Sequence, residues 1–124
     1  MNAPLLVLLR ASDWGARRQA VVLALTAAAF GHRVVVALSG EALRAWVEGG
    51  FDDGAPAAAV AARVGSLRAM LDEGRRDLGV EVVACETEVR LAGLTPEAAR
   101  RTLDGLRSLP EQWRGAVEGR VLAF

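Results

Sequence analysis

Between Pro4 and Arg10 the chain runs Leu5-Leu6-Val7-Leu8-Leu9 without a polar break, the pattern of a short strand buried on both faces. Val34-Val35-Val36-Ala37-Leu38 repeats it with β-branched residues and stops at Ser39-Gly40, and Val80-Glu81-Val82-Val83-Ala84-Cys85 is a third such run. Between the first two the period changes. Val21, Val22, Leu25 and Ala29 follow helical spacing from Ala16 onward, Ser12 or Asp13 can cap the start, and Gly31 can end the helix left-handed.

A second helix is predicted over Glu41 to Glu48, with Leu43, Trp46 and Val47 on one side and Gly49-Gly50 as its stop. Phe51-Asp52-Asp53-Gly54 then reads as an irregular loop, a candidate lid over a small ligand. Pro56 suits a first helical position, and Val60, Val64, Leu67, Leu71 and Leu78 continue as one core-facing stripe that Gly65 or Gly74 can break before Gly79 ends it. After Cys85, Thr87 to Ala92 makes one turn ended by Gly93, and Thr95-Pro96-Glu97 opens a helix to about Leu103. Gly105 to Ser108 is a minor strand, Pro110 to Val117 a helix, and Arg120 to Phe124 a closing strand. This alternation predicts a three-layer α/β/α sandwich around a mostly parallel sheet of about five strands. The length of 124 residues suits one domain over 1–124.

Charge narrows the functional classes. Fifteen arginines balance fifteen acidic residues with no lysine, so no basic surface is implied and nucleic acid is not the expected partner. Without lysine there is no phosphate-binding P-loop, and Asp13 with Asp52-Asp53 lacks the lysine of a phosphoacceptor site; capping and loop roles are expected for these aspartates. The run Ala3 to Leu9 lacks the flanks of a signal peptide, and Val21 to Phe30 is about half the roughly 20 residues that span a bilayer. No membrane partner is expected, and cytoplasm is the default compartment. One cysteine and one histidine, His32, make neither an internal disulfide nor an ordinary zinc site. His32 is expected to satisfy carbonyls at a helix end, far from the ligand edge. Trp14, Trp46 and Trp113 are core candidates, one of them for a subunit interface.

The distinctive group is Cys85. It ends the third strand, at the sheet edge where ligands meet parallel α/β sheets. A helix amino terminus just beyond it favours a thiolate, Glu86 and Glu88 oppose one, and Arg90 can offset them by turning back toward sulfur. A lone cysteine at a strand end is also a common structural residue. Ser12 and Ser39, at the ends of the first two strands, are site neighbours by position and turn residues by type.

Gly79-Val80-Glu81-Val82-Val83-Ala84-Cys85 followed by Gly93-Leu94-Thr95-Pro96-Glu97 resembles the DsrE/DsrF-like family. Gly31 to Gly40 is similar to that family's second strand and turn, and Arg120 to Phe124 to its closing strand. The resemblance covers nearly the whole chain in element order. It implies a sulfur carrier or sulfurtransferase of the kind found among TusD-like subunits. Cys85 would hold sulfane sulfur as a persulfide and pass it to a partner thiol, without metal or organic cofactor. Glu86, Thr87 and Arg90 would shape docking of donor and acceptor proteins, and a homo-oligomer, trimer or hexamer, is implied. Because the family also contains subunits without a working cysteine, a non-catalytic oligomeric binding or scaffolding module is the alternative reading.

Overall fold

The computed structural model describes residues 2–124. Five strands form one sheet: β1 (Leu5–Leu9), β2 (Val34–Leu38), β3 (Glu81–Ala84), β4 (Gly105–Leu106) and β5 (Arg120–Ala123). Their order is β4-β3-β2-β1-β5, and every pairing is parallel. Seven helices connect them: α1 (Trp14–Ala29), α2 (Gly40–Glu48), α3 (Ala57–Ala61), α4 (Leu67–Asp77), α5 (Glu86–Leu91), α6 (Pro96–Arg100) and α7 (Leu109–Ala116). The fold is a three-layer α/β/α sandwich, its sheet parallel throughout. Among the described residues no helix is long and apolar enough to cross a membrane.

The layers are unequal for a topological reason. Right-handed connections that step one way, from β1 through β2 and β3 to β4, put α1 to α6 on one face, and the return to β5 puts α7 alone on the other. Strand alternation then sorts the side chains. Leu5, Val7 and Leu9, Val34, Val36 and Leu38, and Val82 and Ala84 join the large core with α1, α2 and α4, while Leu6, Ala37 and Val83 meet only Ala116 and the half-buried Leu8 and Val35. From α7 only Gln112 and Ala116 are buried. Trp113 and Val117 lie on its outer side, and Leu109, at its first position, is 60% exposed.

Trp46 is the largest buried side chain. Its Nε1 donates to Thr102 O at 3.0 Å, Phe51 meets it edge-on at 5.1 Å, and the Arg68 guanidinium lies 3.7 Å over its ring. Of the three tryptophans it alone is fully core, whereas Trp113 is 61% exposed.

The stripe from Val60 to Leu78 is not one helix. α3 ends at Ala61 with Ala62 as its cap, and α4 starts after Ser66. The break is a Schellman turn. Val64 N–H donates to Ala59 O and Arg63 N–H to Val60 O, with Arg63 in the left-handed region at φ 57°. That position is normally glycine, so the stop falls two residues before Gly65 and carries no glycine signal. Val60 is consequently solvent-facing and Leu78 nearly half exposed, leaving Leu67 and Leu71 as the core contacts of the stripe. Gly74 lies inside α4, against Leu25 of α1.

The 49–55 loop is fastened rather than free to act as a lid. Phe51 is buried, and Asp52 accepts hydrogen bonds from Leu67 N–H, at the start of α4, and from the Ser66 hydroxyl. Arg17, which flanks an apolar run in the sequence, is 4% exposed and clamps the loop from below. It donates to the carbonyls of Ala11, Glu41, Gly50 and Phe51 and pairs with no carboxylate.

Candidate functional site

Val82 and Ala84 of β3 point into the large core, so period two sends Val83 to the thin α7 face, and Cys85 continues that alternation. The strand stops at Ala84. Cys85 has extended backbone, φ −79° and ψ 140°, and is the N-cap of α5, but its side chain takes no capping hydrogen bond. As a residue Cys85 is half-buried.

Around it lies a groove of about 320 Å³ at the carboxyl edge of the sheet. Leu8, Ala37, Leu38 and Ser39 come from the ends of β1 and β2, Thr87 and Glu88 from the first turn of α5, and Leu109 and Gln112 from α7. The start of α7 is set by a capping box. Ser108 accepts from Glu111 N–H, and the Ser108 N–H and hydroxyl donate to Glu111 Oε1. Those bonds, the backbone one foremost, hold the Glu111 carboxyl below its usual range. With α7 placed, Gln112, 8% exposed, donates Nε2–H to Arg107 O at 3.0 Å.

The groove wall is apolar except for Ser39, Thr87, Gln112 and one charge, Glu88. Arg90 does not turn toward sulfur; it donates to Glu86 Oε1 at 2.9 Å, and both side chains are more than half exposed. Of the residues singled out in the sequence, the structure therefore gathers Cys85, Thr87 and Ser39 on one groove. It leaves Glu86 and Arg90 paired outside it. Ser12 lines a different groove, with Arg17, Glu41 and Arg44.

Sequence reasoning missed Leu109 and Gln112, because they arrive from an element that crosses the opposite face more than twenty residues later. The readable signal was the inverted pattern of α7, where Leu109, Trp113 and Val117 recur at every fourth position while a glutamine occupies the inward side. His32 sits at the opposite, amino-terminal edge. Its Nδ1 is 2.6 Å from Ala3 O, so it engages the entry to β1 rather than the carbonyl end of α1.

With strand order, layers and groove in place, known structures can be compared. The crystal structure of the YchN protein from E. coli superposes over 100% of both chains, with a TM-score of 0.60 and 18% identity. The chain has the fold of YchN. That likeness agrees with the element order read from the sequence. No family model and no curated protein matches, so the likeness to YchN is one of fold.

Proposed function

We propose that the chain is a DsrE-like sulfur carrier in which Cys85 takes up sulfane sulfur and hands it to a partner thiol. One observation carries this reading: the chain's single cysteine is a half-buried residue, its side chain takes no capping bond, and it lines a groove at the carboxyl edge of a parallel sheet. The resemblance around Gly79 to Cys85 and the fold shared with YchN support it.

The chemistry is thiol exchange and is redox-neutral. The Cys85 thiolate attacks the outer sulfur of a donor persulfide. A bond forms between Sγ and that sulfur, the donor's sulfur–sulfur bond breaks, and the donor departs as a thiolate. An acceptor thiolate then attacks the terminal sulfur on Cys85, which releases the Cys85 thiolate. The apolar wall of Leu8, Ala37, Leu38 and Leu109 limits water beside the persulfide, while Thr87 and Ser39 offer hydroxyls to its terminal sulfur. Donor and acceptor are proteins or small thiols that reach Cys85 past the exposed first turn of α5.

Intact-mass analysis after incubation with a persulfide donor tests this. The wild type should gain the mass of one sulfur atom, lose it to an added thiol, and Cys85→Ser should gain none. If the two proteins gain sulfur equally, or neither does, the carrier reading falls. The non-catalytic binding module, which Glu88 in the groove favours, then takes its place.

A further inference from the structure

The groove at Cys85 holds a nucleophile but no cation of the chain to face it. No arginine and no histidine lines it, and Arg90, the nearest cation in sequence, is paired with Glu86. The charge the groove does hold is negative. Glu88, in the first turn of α5, is half-buried and belongs to no ion pair among the described residues. A half-buried carboxylate without a counter-charge has lost hydration and gained nothing in return, so it favours any cation that enters beside it.

The polar group on the opposite wall is Gln112, only 8% exposed. A carbonyl can only accept, so the bond to Arg107 O is made by the NH2 end of its amide and Oε1 is the free end. Oε1 receives no hydrogen bond from the described residues, and none of their unpartnered side-chain oxygens is sealed inside the protein, so it meets open space beside α7. Glu88 is thus an acceptor only, Gln112 has an acceptor to spare, and Ser39 and Thr87 take either role. With apolar residues elsewhere, such a lining complements a small, positively charged group rich in N–H donors. The groove volume of about 320 Å³ lies at the small end of the roughly 300–1,000 Å³ of ligand sites.

We infer that the Cys85 groove selects aminothiols, compounds with an ammonium on the second carbon from sulfur, and that Glu88 is the residue that determines this specificity. For the sulfur that is passed, the inference rests on the carrier reading and names its donor as an aminothiol persulfide. Sγ bonds to the outer sulfur of the donor, which keeps its proton, the donor's sulfur–sulfur bond breaks, and the aminothiolate departs with its charge met by its own ammonium. The ligand therefore brings the cation that the site lacks, first beside the attacking thiolate and then beside the leaving one. Anionic donors such as thiosulfate meet Glu88 with like charge and are rejected.

Mixed-disulfide formation at Cys85, followed by intact mass, tests this with three symmetric disulfides: cystamine, hydroxyethyl disulfide and dithiodipropionate, which are cationic, neutral and anionic. Each rate is divided by that of the same chain unfolded in urea, which removes the intrinsic reactivity of the reagent. Cystamine should then lead the neutral reagent by about fivefold, and the anion should trail it, with the spread narrowing as salt is added. Glu88→Gln should bring the three within about twofold of one another, whereas Glu97→Gln, the same change of charge on the exposed surface of α6, should keep the order. The amino-terminal cysteine of a peptide carries the same atoms. A disulfide of cysteinylglycine amide separates the two sources: a rate matching cystamine admits peptide termini to the groove, and a lower one confines it to free aminothiols. Wild-type rates within twofold of one another, an anion that leads, or a preference that survives Glu88→Gln overturns the inference. These reagents carry no sulfane sulfur. A chain that shows the preference but takes up no persulfide sulfur loses the carrier reading and keeps an aminothiol groove, and one that takes up sulfur without the preference loses this inference alone.

Discussion

A β-carbon at position 119 would sit 1.9 Å from the carbonyl oxygen of Pro4, and one at position 74 would sit 2.2 Å from Cδ2 of Leu25. The shorter contact is with backbone, which is already held as the acceptor of Arg120 N–H. The other is with the tip of a side chain that has other rotamers. Equal-looking substitutions should therefore differ. Gly119→Ala is expected to cost about 2–3 kcal/mol and to loosen the start of β5, Gly74→Ala only about 1 kcal/mol, in urea unfolding followed by tryptophan fluorescence. From the sequence, Gly74 was read only as a place where a helix can break. Its role as a close-approach residue depends on α1, more than forty positions away, so no local pattern reveals it.

At the level of single elements, the strands were the most legible, because β1, β2 and β3 are continuous apolar runs closed by turn residues. Asp13 and Thr95 also cap α1 and α6 as their residue types suggest. The elements that departed did so where an ordinary residue takes an uncommon backbone state or where packing decides exposure. Arg63 ends α3 in a left-handed conformation that glycine adopts without strain. Arg63→Gly should accordingly stabilise the protein by about 0.5 kcal/mol, the relief of strain exceeding the added freedom of the unfolded chain, as a small rise in the midpoint of thermal unfolding would register. α7 shows the second kind of departure. Its period is helical and its end positions were readable, but which side faces the sheet follows from how little of the second layer there is. At the candidate site, likewise, Cys85 was legible from strand length, whereas its groove required α7.

Across the whole molecule, Asp104 is the junction that ties the α4 layer to the far edge of the sheet. It accepts two hydrogen bonds from Arg75 at 2.9 Å and one from Val82 N–H at 2.7 Å. Burial works against its carboxylate, but the Arg75 and Val82 bonds outweigh that and hold it below the ordinary value of 3.8. The sign follows. A carboxyl lowered by folding contributes stability that is complete above the unfolded value and is lost as pH falls through the folded one. Stability should be level from neutrality to about pH 5 and fall below about pH 4, with Asp104→Asn lowering the plateau by about 1 kcal/mol and flattening the acid limb, since solvent reaches the ion pair. Chemical unfolding at a series of pH values would show both effects.

The solitary state of Cys85 has a practical corollary. A disulfide formed between it and another protein has no neighbouring thiol within the chain to displace it, so such an adduct waits for a thiol from outside. Under non-reducing conditions the unmodified chain should thus act as its own covalent bait, and whatever protein is held to it through sulfur can be released by reductant and named.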